Sequence, residues 1–144
     1  RQIRIASNAR KMSEVTEEIH DRSRPFTGAV FDTLVDLYHA GLVRQGLADE
    51  RLLGLDIREV SEADMRQISS FTSEVFRTRP LLFKSELIKA RDEVALTLAF
   101  AWPRLHADNL TYAHAADAII ASAEHIGPAA ARSFDENFRW REIL

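Results

Sequence analysis

The chain has 144 residues and a mass of 16.3 kDa, which suffices for one domain with a buried core and is too short for two ordinary domains. Its 19 Lys and Arg against 22 Asp and Glu exclude a generic polyanion-binding protein, because such proteins carry a basic surplus, so no nucleic-acid partner is expected. The lack of cysteine excludes disulfides, thiol catalysis and Cys-ligated zinc, and no apolar run is long enough to predict a membrane-spanning helix. Since the first residue is Arg1 rather than Met, we expect a processed chain or a piece of a longer protein.

The composition predicts an all-α fold, because five Gly and four Pro stand against twenty Ala. Residues 1–22 are polar with little periodicity and predict an irregular N-terminal segment. Residues 23–144 predict a compact bundle of about five helices, so we expect residues 1–144 to form a single all-helical domain.

The first predicted helix begins at Ser23-Arg24-Pro25, where a hydroxyl can cap the helix and the missing N–H of a proline costs nothing in the first turn. Apolar residues then recur at steps of three and four over a wide face: Phe26, Val30, Phe31, Leu34, Val35, Leu37, Tyr38 and Leu42. A face of this width predicts a helix that is covered on more than one side.

Turn signals separate the later helices. Ser61 with Asp64 predicts a capped start, and Pro80 predicts the end of that helix. A long helix follows from about residue 82 to Trp102 and stops before Pro103. Asn109 or Thr111 is expected to cap an Ala-rich helix, and residues 127–128 (Gly-Pro) separate it from a last helix with Phe134 and Phe138 on one face.

The sequence contains no complete active site. Its histidines never occur as H-x-x-x-H or H-E-x-x-H, so no pair lies one helical turn apart to hold a metal, and no metal site is expected in this chain. The patterns G-x-S-x-G, P-loop and G-x-G-x-x-G are also missing. His20 differs from the other histidines because it precedes a predicted helix cap and follows Glu17 and Glu18, an arrangement that could stabilise an oxyanion.

Three segments together resemble the C-terminal domain of thermolysin-like zinc metallopeptidases. Residues 3–15 (IRIASNARKMSEV) resemble the stretch that follows the zinc helices of that family. Residues 19–32 (IHDRSRPFTGAVFD) resemble its His-containing segment, which leads into a long buried helix. Residues 96–138 resemble its closing helices. The order and spacing of the segments carry the resemblance, which covers most of the chain and is weakest between residues 44 and 80.

The resemblance implies a role for each matching residue. His20 would donate a hydrogen bond to the oxyanion of the tetrahedral intermediate, and Arg4 would hold a carbonyl of the peptide substrate. Ile3 would line the pocket for the residue after the scissile bond. Zinc would be bound by an N-terminal domain of the same protein, and this chain would form the other wall of the cleft. Such an enzyme would be secreted by resemblance, although a cytoplasmic location stays open.

One position departs from the family pattern. Members usually have an Asp five residues before the catalytic His, where it pairs with the imidazole, whereas this chain has Val15. Glu17 or Glu18 is expected to substitute for that Asp.

Two other classes of function remain open. The chain could be a non-catalytic helical interaction module that keeps a peptidase-like fold, or the ligand-binding half of a helical transcription regulator. A basic recognition helix of the helix-turn-helix type is missing, which weighs against the regulator. An H-E-x-x-H sequence upstream of Arg1 would favour the peptidase, and its absence would favour the module.

Overall fold

Residues 8–53 and 61–144 are described by a computed structural model of the chain. In these ranges there are five α-helices: α1 (Ile19–Arg44), α2 (Glu62–Thr78), α3 (Pro80–Ala101), α4 (Tyr112–Ile126) and α5 (Pro128–Trp140). Short 3₁₀ turns lie at Met12–Glu14, Glu50–Leu52, Trp102–Arg104 and Ala107–Asn109. The same ranges contain no β-strand, so the predicted all-α fold of about five helices is confirmed.

The chain divides into two units. The first comprises Arg1–Val35 and Asp92–Leu144, of which the described part starts at residue 8, and the second comprises Asp36–Arg91. The division falls within α1 and within α3. Of the helices in the described ranges, none combines the length and the apolar character needed to cross a membrane.

The irregular N-terminal segment is shorter than predicted, because residues 19–22 already belong to α1. The helix begins at Ile19 rather than at Ser23, and Pro25 lies inside it. Ser23 is no cap, since its hydroxyl donates to the carbonyl of His20 at 2.9 Å. Glu18 takes the capping role instead, because its carboxylate accepts from the backbone N–H of Asp21 at 2.9 Å.

Most other predicted helix ends are confirmed. Ser61 caps α2 by accepting from the N–H of Asp64 at 3.1 Å, and α2 ends at Thr78, just before Pro80. Of the two candidate caps for α4, Thr111 accepts from the N–H of His114 at 3.1 Å. Gly127 ends α4, and α5 begins at the next residue.

The core of the first unit includes an aromatic cluster. The Phe26 ring of α1 lies 5.6 Å from Tyr112 of α4 and 5.3 Å from Phe138 of α5, measured between ring centroids. Phe134 stacks on Phe138 at 5.8 Å, and both are fully buried, as their spacing predicted. These contacts connect α1, α4 and α5 within one apolar core.

The second unit has a smaller core at the end of α1. Leu42, Leu47, Ala48 and Phe83 are buried together. The chain turns sharply there because Gly46 adopts a positive φ of 66°. The N–H of Leu47 then donates to the carbonyl of Leu42 at 2.8 Å, which closes the end of α1 and brings Leu47 into the core.

Candidate functional site

His20 is the second residue of α1, and its side chain is exposed. The structure therefore places it in the first helical turn rather than in an irregular stretch before the helix. Its neighbour Ile19 is 77% exposed although it is apolar. The imidazole of His20 is therefore accessible from outside this helix end. An imidazole can donate a hydrogen bond to developing negative charge.

The turn that carries His20 is stabilised by side chains on both sides of it. The carboxylate of Asp21 accepts from the backbone N–H of Thr16 at 2.8 Å and from its hydroxyl at 3.1 Å. The bond from the Thr16 N–H, together with the Arg24 guanidinium at 3.0 Å, lowers the pKa of Asp21 below its usual value. Asp21 is thus ionised near neutral pH, at the helix end where the macrodipole favours negative charge.

The two proposed partners of His20 also make other contacts. The Glu17 carboxylate pairs with the guanidinium of Arg22, and the Glu18 carboxylate accepts from the N–H of Asp21. That Glu17 or Glu18 orients the imidazole of His20 stays a prediction. Ile3 and Arg4, the predicted substrate-binding residues, lie outside the described residues.

A buried guanidinium lies in the same unit and was not predicted. Arg141 is 1% exposed. It donates to the carbonyl of Arg10 at 2.8 Å, to the carbonyl of Asn8 and to the carboxylate of Asp32 at 2.5 Å. Gly28 of α1 leaves room for it, because a Cβ at this position would lie 2.5 Å from the guanidinium carbon. We call these five residues the Arg141 cage.

Further contacts anchor the same N-terminal segment to the end of the chain. The N–H of Met12 donates to the carbonyl of Arg141 at 2.9 Å, and the N–H of Ser13 donates to the Glu142 carboxylate at 3.2 Å. The hydrogen bonds from Ser13, with the ammonium group of Lys11 nearby, lower the pKa of Glu142. Residues 8–14 are therefore held in place. In the sequence they lie between the predicted substrate-binding residues and the start of α1.

One sequence signal points to the Arg141 cage. Gly28 interrupts the apolar pattern of the first helix, and a glycine inside a helix costs up to about 1 kcal/mol relative to alanine. Such a glycine indicates that another group approaches the backbone closely. The sequence does not say which group, because Arg141 lies more than a hundred positions away.

The described residues contain no group of three or more His, Asp or Glu side chains placed to hold a metal ion. Comparison of the chain with protein-family models, with curated proteins and with solved structures finds no match. The functional hypothesis therefore rests on the surroundings of His20 and on the sequence resemblance.

Proposed function

We propose that this chain is the C-terminal helical part of a zinc-dependent endopeptidase and forms one wall of its active-site cleft. The observation that carries the proposal is the exposed His20 in the first turn of α1, beside the exposed apolar side chain of Ile19. An imidazole and an isoleucine left open at one helix end are suited to a cleft that is completed by another part of the protein.

In this proposal His20 acts on the transition state. Its N–H would donate to the oxyanion that forms when water attacks the peptide carbonyl, and this bond strengthens as negative charge develops. Arg4 and Ile3 would bind the peptide on either side of the reacting carbonyl. Zinc, held by the N-terminal domain, would activate the attacking water. The described part of this chain has no set of zinc ligands, so the 144 residues alone are expected to be inactive.

A second candidate function is a non-catalytic interaction module. The observation that favours it lies in the second unit, where α2 and α3 leave several large apolar side chains at least one-third exposed: Phe71, Phe76, Leu81, Leu82, Leu87 and Ile88. Large apolar side chains that stay exposed on two consecutive helices are a feature of surfaces that bind another protein. The module needs no function for His20, and this separates the two candidates.

The decisive experiment compares His20→Ala with His106→Ala in the full-length protein that contains this chain. His106 is also exposed and lies in the same unit, so it serves as the matched control. Loss of one oxyanion donor is expected to lower kcat by roughly 10²–10³. KM, zinc content and Tm should change little in His20→Ala, and His106→Ala should resemble the wild type.

A fully active His20→Ala protein would overturn the proposal, as would an activity loss that follows loss of zinc or of folding. An upstream sequence without H-E-x-x-H would favour the interaction module instead.

A further inference from the structure

An apolar cavity that is open to solvent lies within the first unit, apart from the residues assigned to His20 and to the Arg141 cage. Its volume is about 540 Å³. Its walls come from three helices: Phe26 of α1, Leu98 and Ala101 of α3, and Ala115 and Ile119 of α4. Ala101, Ala115 and Ile119 are buried, so they lie at the inner end of the cavity.

The size of this cavity distinguishes it from a packing defect. Protein interiors contain few voids larger than one water molecule, and a water molecule occupies about 30 Å³ in the liquid. The cavity also falls within the range of roughly 300–1,000 Å³ that is typical of small-molecule sites. It therefore has room for a ligand of more than ten heavy atoms, since each such atom takes on the order of the volume of one water molecule.

The rim of the cavity carries large apolar groups that face water. Trp102 is 76% exposed and Leu110 is 55% exposed, and both line the opening. A ligand in the cavity would cover part of these side chains, and removal of apolar surface from water is favourable. The rim thus favours an occupant that is itself apolar.

The chemistry of the lining restricts that occupant further. None of the lining side chains is charged or carries a carboxamide, and their polar groups are the hydroxyls of Thr111 and Tyr112 and the indole N–H of Trp102. A peptide segment would bring a backbone N–H and C=O with each residue, and most of these would lose their hydration without finding a partner. A hydrocarbon chain has no such groups to satisfy.

We propose that this cavity binds a small molecule with a medium-length hydrocarbon chain, with its polar end at the rim near Thr111 and Tyr112. The binding site is built entirely by the first unit. The proposal does not depend on the peptidase function, because binding needs neither zinc nor catalytic activity.

The chain offers a built-in reporter for the test. It contains two tryptophans, so Trp140→Phe leaves Trp102 at the rim as the sole source of tryptophan fluorescence. Titration of this variant with 1-decanol should give a saturable blue shift of the emission as Trp102 leaves water. 1-Butanol should bind at least about a hundredfold more weakly, because each methylene group removed from water contributes to affinity.

Two further variants, made in the Trp140→Phe chain, locate the binding. Ala115→Leu should weaken the affinity for 1-decanol at least about tenfold, because the added side chain occupies the inner end of the cavity. Ala129→Leu is the matched control, since Ala129 is exposed on α5 and does not line the cavity. Leu110→Ser, at the exposed rim, should weaken binding several-fold with the helical circular dichroism unchanged.

Absence of saturation would overturn the proposal, as would equal binding by Ala115→Leu and Ala129→Leu when both are folded. If Ala115→Leu does not fold, unchanged affinity in Leu110→Ser overturns it in the same way. Tighter binding of an acetylated tri-leucine peptide amide than of 1-decanol would also overturn it, and would assign the cavity to a peptide segment.

Discussion

The two units each enclose one charged side chain beside a glycine of α1, and they do so in different ways. In the first unit Arg141 is 1% exposed and lies against Gly28. In the second unit Glu86 is 4% exposed and lies against Gly41, where a Cβ would come within 2.6 Å of its Oε2. Both glycines therefore provide space for a buried charge.

The partners of the two charges differ in rigidity. Arg141 donates to two backbone carbonyls in the segment of residues 8–14 and to the carboxylate of Asp32 on α1. Glu86 accepts from Lys89 at 2.5 Å and lies 3.6 Å from Arg44, and the side chains of both partners are more than half exposed. The Arg141 cage thus has fixed acceptors, whereas the negative charge of Glu86 is paired with flexible cationic side chains at the surface.

This difference has a physical consequence. A guanidinium surrounded by fixed acceptors connects chain segments that are far apart in sequence, and its removal takes a hydrogen bond from each of those acceptors. A carboxylate that is paired with flexible surface cations can shift together with them. We therefore expect the first unit to be much more sensitive to substitution at its buried charge.

The largest effect is expected for Arg141→Met. Removing one partner of a buried charged cluster is expected to lower the free energy of unfolding by about 3 kcal/mol. This value is the lower end of the range for buried ion pairs, because Asp32 is partly exposed. Urea denaturation of the 144-residue chain measures this change. Arg139→Met is the control, since Arg139 pairs with Asp135 at the surface and should cost less than about 1 kcal/mol.

Trypsin gives a second measure of the same variant. Arg10 and Lys11 lie in the segment that the Arg141 cage holds, so Arg141→Met should be cut there faster than Arg139→Met. Equal stabilities and equal cleavage rates for the two variants would contradict the anchoring role of Arg141.

The next largest effect is the difference in the free energy of unfolding between Gly28→Ala and Gly41→Ala. Alanine favours a helix over glycine by about 1 kcal/mol where there is space for it. At Gly28 the new methyl group would collide with an enclosed guanidinium, so a loss of about 1–3 kcal/mol is expected. At Gly41 the Glu86 carboxylate can move with its surface partners, so the free energy of unfolding should stay within about 1 kcal/mol of the wild type.

Thermal unfolding of both glycine variants measures the difference. If Gly41→Ala is the less stable protein, the carboxylate of Glu86 is as rigidly held as the guanidinium of Arg141, and the comparison between the two units fails.

The smallest effect concerns His39 in the second unit. Burial lowers its pKa, and Asp36 partly opposes this shift. The unfolded chain then binds more protons at this histidine than the folded chain does. The free energy of unfolding is therefore unaffected by His39 above the unfolded pKa of about 6.5 and decreases as the pH falls below it. The stability of His39→Gln should decline less between pH 7.5 and about 5.5 than that of the wild type, as measured by urea midpoints, whereas exposed His106→Gln should follow the wild type.

Local signals predicted most helix ends correctly because a cap involves residues only a few positions apart. Ser61, Thr111 and the Gly127-Pro128 pair each act through contacts that a short window of sequence contains. The same kind of signal was misleading at Ser23, because α1 begins four residues earlier, at Ile19, where the Glu18 carboxylate accepts from the N–H of Asp21.

The roles assigned to the candidate site residues stay predictions. The sequence places His20 in an irregular stretch before the first helix, whereas the structure places it, exposed, in the first turn of α1. The anchoring of residues 8–14 by Arg141 could not be predicted, because the contacting residues are separated by about 130 positions. No periodic pattern pairs residues over that distance.

The amino-acid sequence by itself determined the all-α class, the approximate helix order and the apolar faces, because these depend on composition and on spacings of three and four residues. Only the tertiary structure decided which charges are buried and where a cavity remains open. Both depend on how side chains from distant helices fit together. Gly28 shows the division: its place within a helix is a local property, while the guanidinium that occupies the space beside it comes from the other end of the chain.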